Sequence, residues 1–161
     1  MQTAFKEWAV ICRALAQGRQ DVILRKGGIA EAGGGFAPDH REFLLLPTFL
    51  HQSAESLRPE DRDLLENIDA DRPPVGTVVF RNAARVAEAV LVRSFDELAA
   101  FRGRHVWSDA VVEERFRRWQ EQLHVLVVRV HALPRPLSLP WREEYGGCRS
   151  WVNLDEPAAS E

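Results

Sequence analysis

L-H-V-L-V-V-R-V-H-A-L, residues 123–133, is the stretch on which the fold turns. Its β-branched content and alternation predict a strand at the centre of a sheet. Residues 124, 126, 128 and 130 share one face, and 123, 125, 127, 129 and 131 the other. His131 thus aligns with Arg129 on a partly solvated side. Downstream, the Pro-rich stretch from Pro134 to Pro140 leads to Y-G-G-C-R-S-W-V-N-L, read as a turn and a last strand. Upstream, T-V-V-F and A-V-L-V within residues 76–92 read as two strands joined by a turn at R-N-A-A-R.

Further strands are expected at Q-D-V-I-L-R (20–25), ended by Lys26-Gly27-Gly28, and at E-F-L-L-L (42–46), stopped by Pro47. Between them, residues 27–35 hold five of the ten glycines and read as a flexible loop. The spacing of Phe5, Trp8, Cys12 and Leu15, with Ile11 beside them, predicts a helix over 3–17 that Gly18 closes. Pro59 opens another helix over 59–68, and Asp69 to Pro74 form a linker. Ser94 with Glu97 makes a capping box for a helix over 95–101. A further helix follows Ser108 and carries Val111, Val112, Phe116 and Trp119. Trp8 and Trp119, on helical stripes, are expected in the core.

Strands and helices do not alternate regularly, which points to α+β rather than a doubly wound sheet. The expected architecture is a single compact domain over 1–154 with a mixed, largely antiparallel sheet. The sheet curls toward a small barrel, packed by an N-terminal helix and several short helices. Residues 155–161 are expected to be a disordered tail. The length of 161 residues and a hydrophobic share of 45% suit one buried core.

The formal net charge of −3 excludes a global positive field that would draw the protein to nucleic acid or anionic membrane, so any basic patch is local. Lys6 and Lys26 are the only lysines. Cys12 and Cys148 make neither a disulfide framework nor a CxxC zinc motif. No apolar run is long enough to span a membrane, and the cytoplasm is the default location. No metal or cofactor is indicated.

Three constellations can carry chemistry. Arg25-Lys26-Gly27-Gly28 offers two cations and free backbone N–H groups to an anion, without the spacing of a P-loop. The alternative is a tight turn with solvated cations. Glu31, His40, His51 and Gln52 offer a polar binding group, a proton relay or a metal site. In the alternative, His51 caps a carbonyl inside a packed turn. Tyr145-Gly146-Gly147-Cys148-Arg149-Ser150-Trp151 offers Arg149 as a second arm for an anion. Cys148 is expected to be a small buried residue. Thr48 and Ser150 complete the candidate polar site.

R-K-G-G-I at 25–29, H-R-E-F-L-L-L-P-T-F-L-H-Q at 40–52 and Y-G-G-C-R-S-W-V at 145–152 resemble the bacterial domain of unknown function 1802 family. E-W-A-V near the start and H-V-W at 105–107 belong to the same resemblance, which spans residues 4–154. Arg149 stands where relatives often have lysine, and Trp141 where many have tyrosine. The resemblance implies a bacterial, mostly stand-alone domain. In some members it lies beside or fused to an Mrr-type restriction endonuclease domain. A nuclease core of that kind needs E-x-K or E-x-Q, and no glutamate here is followed by lysine or glutamine two residues on.

The leading expectation is therefore a non-catalytic nucleic-acid or phosphate-binding accessory domain linked to restriction or defence, with nucleic acid or a restriction-type nuclease as partner. In it, Arg25, Lys26 and Arg149 neutralise phosphate, and His51 and Gln52 supply hydrogen bonds. One rival is a small hydrolase or phosphotransfer enzyme using His51 or His40 with Glu31. Another is a protein–protein interaction module.

Overall fold

The computed structural model describes residues 2–26 and 40–154. Gly27, Gly28, Glu31, the triple glycine and the 155–161 tail lie outside the described residues. The elements are β1 (Thr3–Trp8), α1 (Ala9–Ala16), β2 (Val22–Arg25), β3 (Glu42–Thr48), β4 (Thr77–Val92), α2 (Phe95–Ala99), α3 (Asp109–Arg117), β5 (Leu123–Pro140) and β6 (Trp151–Asn153). The six strands form one mixed sheet in the order β2-β5-β4-β3-β1-β6. β1 and β3 are parallel, and the other pairs are antiparallel. The fold is α+β, as expected. β2 and β6 are the two edges, so the sheet is open and does not close into a barrel.

The helix expected from residue 3 begins only at Ala9. Residues 3–8 are β1, inserted between β3 and β6. Phe5 and Glu7 follow a period of two and are both buried. Phe5 and Trp8 also fit a helical stripe, but pairing on both sides outweighs that local preference. α1 keeps the stripe from Ala9 to Leu15, and Gly18 follows it with φ 75°.

β4 is one strand, not two. R-N-A-A-R lies within it, and Asn82, Ala83 and Ala84 pair with Ala132, His131 and Val130. The ladder shifts register between Phe80 and Asn82. There Leu133 to Pro136 of β5 oppose Arg81 alone, a bulge that takes Pro134 and Pro136 out of the ladder. β5 thus runs on through the Pro-rich stretch to Pro140.

The helix expected over 59–68 is a 3-10 turn, Pro59–Leu65. α2 and α3 start where the sequence places them. The Ser94 and Ser108 hydroxyls accept the N–H groups of Glu97 and Val111. Val112 and Phe116 are buried, but Trp119 falls beyond the end of α3, with φ 59° and 67% exposure. Cys148 is exposed, not buried. It sits in the turn after Gly147, before β6 begins, so strand alternation does not govern it.

Two hydrophobic clusters form the core. One joins α1 to Phe5, Phe43, Leu45 and the central strands. The other gathers Ala4, Leu44, Leu46, Val78, Phe80 and Tyr145. Leu44 and Leu45 alternate between the clusters, as neighbours on a strand do. Among the described residues no helix is long and apolar enough to cross a membrane.

Candidate ligand cleft

The C-terminal end of β1 gathers Arg25, Thr48, Gln52 and Ser150 of the sequence-selected residues that the structure describes. Arg25, the last residue of β2, donates through Nη2 to Lys6 O at 2.7 Å. The same nitrogen lies 3.6 Å from Oε2 of the buried Glu7. The Arg25 guanidinium rests 4.6 Å from the centre of the Phe5 ring. Glu7 Oε1 accepts the Trp8 N–H at 2.9 Å. Arg115 of α3 lies 4.1 Å over the Trp107 ring, and burial lowers its pKa. Two arginines thus surround one buried carboxylate, and aromatic rings cover the cations.

Lys26 turns away from solvent anions and onto the backbone. Its ammonium donates to Phe116 O at 3.0 Å, Gln122 O at 2.6 Å and Gln120 O. An ammonium has three donors, so all are spent at the C-terminal end of α3, where orphan carbonyls favour a cation. Partial burial, and Arg118 nearby, lower its pKa. Gln52 is spent in the same way. Its Oε1 accepts the Val10 N–H at 3.1 Å, capping a helix whose own N-cap residue, Trp8, supplies no side-chain bond. Its Nε2 donates to Thr48 O at 2.9 Å and Leu50 O at 3.2 Å. The Thr48 hydroxyl donates to Glu7 O at 3.3 Å. Ser150 is buried, and its carbonyl accepts the Lys6 N–H at 2.9 Å.

His40 and His51 are not brought together. His40 stands edge-on to Trp151, with ring centres 4.8 Å apart, and His51 is exposed in the turn after β3 with φ 62°. Arg149 is exposed. No hydrogen bond or ion pair joins His40, His51 or Arg149 to the β1 end among the described residues. No group of three His, Cys, Asp or Glu among those residues could hold a metal.

Open space lies elsewhere, in a gap within the sheet. β3 and β4 pair only over Glu42–Leu44 and Ala83–Arg85. Val86 N–H donates to Arg41 O at 2.8 Å. Alternation along an antiparallel ladder then turns the backbone groups of residues 43, 45 and 47 toward β4. Residue 47 is proline, which has no N–H to donate, so the ladder cannot continue there. On the other side, the regular ladder of β4 with β5 is interrupted at Arg81, where β5 bulges. The strands part, and a cavity of about 570 Å³ lies between Leu45–Thr48 and Thr77–Asn82. α1 contributes Ala9, Cys12 and Arg13 to its lining, and the segment before β6 contributes Trp141 and Tyr145.

The cleft carries groups the folded chain leaves unused. Among the described residues, Arg81, the Asn82 amide and the Tyr145 hydroxyl have no hydrogen-bond or charged partner. Arg81 is exposed, and Tyr145 is buried. Arg13 and Arg72 also line the cleft, but Asp71 and Asp69 hold them at 2.7 and 2.8 Å. Leu50, Val75 and Trp141 expose apolar surface at the rim, with Trp141 at 51%.

Pro47 and Thr48 marked this region in the sequence. Asn82, Arg81 and Tyr145 were not selected as binding groups. Asn82 and Arg81 looked like turn residues because R-N-A-A-R reads as a turn. Glu7 was also missed: a helical reading hides what a period of two shows, a carboxylate in phase with Phe5.

Fold and cleft together define a small α+β domain with a ligand-sized opening inside its sheet. The chain belongs to the family described as Domain of unknown function (DUF1802), whose model matches residues 4–161. A search of the curated proteins gave no significant sequence match. Among solved structures, the chain is similar to ASCH from Zymomonas mobilis, with TM-score 0.51 and 12% identity over 88% of each chain. A serine-to-alanine variant of that protein matches with TM-score 0.51 and 13% identity, again over 88% of each chain. A tyrosine-to-phenylalanine variant matches with TM-score 0.50 and 11% identity, over 88% of this chain and 90% of that one. At these identities the likeness concerns the fold.

Proposed function

We propose that this domain binds single-stranded nucleic acid, with the cleft between β3 and β4 as the centre of its site. The observation that carries this reading is the combination inside the cleft. An unpaired cation (Arg81), two aromatic side chains (Tyr145 and Trp141) and uncommitted polar groups surround about 570 Å³ of open space. Phosphate attracts the cation, bases stack on the rings, and base edges take the polar groups. A volume in this range suits a nucleotide-sized ligand. His51 and Arg149 are exposed and serve as outer contacts. Lys26 and Gln52 act through the fold, because their donors already have partners, and Arg25 does so through its Nη2, held by Lys6 O and Glu7.

The family resemblance extends the reading to an accessory domain in the bacterial cytoplasm, serving restriction or defence beside a nuclease. No observation favours the His51, His40 and Glu31 hydrolase, since the two histidines do not meet among the described residues.

Fluorescence anisotropy with short labelled single-stranded DNA and RNA tests the proposal. Binding should weaken as salt rises, with a log–log slope of about −0.7 for each neutralised phosphate. Arg81→Glu should weaken it at low salt. A flat salt response, or no binding to either nucleic acid, overturns the reading.

A further inference from the structure

We infer that the gap between β3 and β4 is a slot for one unstacked nucleobase lying in the plane of the sheet. This inference rests on the nucleic-acid reading and names the part of the ligand that enters the cleft.

The argument starts from the backbone. Where two strands part, each leaves main-chain N–H and C=O groups that point across the gap, in the plane of the sheet. Here the β3–β4 ladder ends at Leu44 and Ala83, ahead of Pro47 on one strand and of Arg81, opposite the β5 bulge, on the other, while both strands continue. A base edge presents the same kinds of groups, donors and acceptors in one plane. A base coplanar with the sheet can therefore hydrogen-bond to strand edges that the fold leaves open. Asn82 stands where the strands part, and its amide adds a donor and an acceptor with no partner among the described residues.

The two faces of such a base would meet different surfaces. Ala9 and Cys12 belong to the core cluster on one side of the sheet. Tyr145 belongs to the cluster on the other side, and it lines the cleft with its ring buried and its hydroxyl unpaired. Small side chains against one face and an aromatic ring against the other leave room for a flat heterocycle. Arg81, opposite the β5 bulge, is exposed and has no charged partner among the described residues, in a position to meet the phosphate of the same nucleotide. An extended peptide can also complete two strand edges. A peptide strand would leave the Arg81 charge and the Tyr145 ring without complementary chemistry, so the base is the favoured occupant.

The test uses the full chain, isotopically labelled, with each ribonucleoside monophosphate and its nucleoside as probes, followed by NMR shift changes. At least one monophosphate should bind at 1:1 and shift amides of residues 45–48 and 77–82. Asn82→Ala and Tyr145→Phe should each weaken it about tenfold, the worth of one hydrogen bond. Arg81→Ala should weaken the monophosphate more than the nucleoside. Oligonucleotide binding that ignores Asn82→Ala and Tyr145→Phe, with no monophosphate bound, overturns the slot and leaves the nucleic-acid reading standing. Monophosphate binding without any oligonucleotide binding supports the slot and sinks that reading. An alternating apolar peptide that occupies the cleft and displaces the monophosphate overturns the slot.

Discussion

The end of β1 and the cleft between β3 and β4 are both rich in polar groups, yet they use them in opposite ways. Around β1 the side chains are spent inside the molecule. Lys26 gives all its donors to carbonyls at the end of α3, Gln52 caps α1, and Glu7 holds Arg25. In the cleft, the side chains of Arg81, Asn82 and Tyr145 make no hydrogen bond or ion pair among the described residues. A polar residue that draws the eye in a sequence is thus as readily a fastener as a ligand contact. What separates the two roles is whether the folded chain already satisfies it.

The sharpest way to break this contrast is at Glu7. Glu7→Ala leaves Arg25 half-buried with no carboxylate, and loss of one partner of a buried pair costs about 3–5 kcal/mol. Urea denaturation should show that loss. A change below about 1 kcal/mol would mean the β1 cluster is no fastener.

Acid should weaken the fold next, through the buried His105 between α2 and α3. Burial, then Arg58, pushes His105 down to about 4 from the ordinary histidine value of 6.5. The unfolded chain then binds the proton more readily than the folded one between those values. Stability from this group is complete above pH 6.5 and drains away as pH falls toward 4, by up to about 3 kcal/mol. Denaturation across that window should show the slope, and His105→Gln should flatten it.

Lys26→Met removes the cation from three carbonyls at the end of α3 and should cost about 1–3 kcal/mol, read by the same denaturation. At the small end, Arg81→Ala and Asn82→Ala should move stability by less than about 0.5 kcal/mol, because these side chains have no hydrogen-bond or charged partner among the described residues. Their effect should appear in ligand binding alone. A large loss of stability in either would erase the distinction between the two regions.

Much of the fold was legible where local chemistry and tertiary context agree. The alternation of residues 123–133 gave β5, and the two serine caps placed α2 and α3. Reading failed where they disagree. Phe5 and Trp8 satisfy both a helix and a strand, and only the neighbouring strands choose between them. R-N-A-A-R has the composition of a turn, yet β3 and β5 flank it and hold it extended. Of the candidate site, the P-T-F-L stretch was in view and its partners were not. Asn82 and Tyr145 lie far from it along the chain.

The sequence misplaced β5, which lies beside the edge strand β2 and not at the sheet centre. By itself it determined the class of fold, the long strand, the starts of α2 and α3 and the absence of CxxC and P-loop motifs. These depend on composition, local periodicity and caps, which operate over a few residues. The tertiary structure alone decided which polar groups are free. Lys26 and Arg81 are both cations beside strand irregularities, and no local pattern tells them apart. The end of α3 supplies carbonyls to one. The parting of β3 and β4 leaves the other open, because a hydrogen bond is settled by groups that meet in space, however distant in sequence.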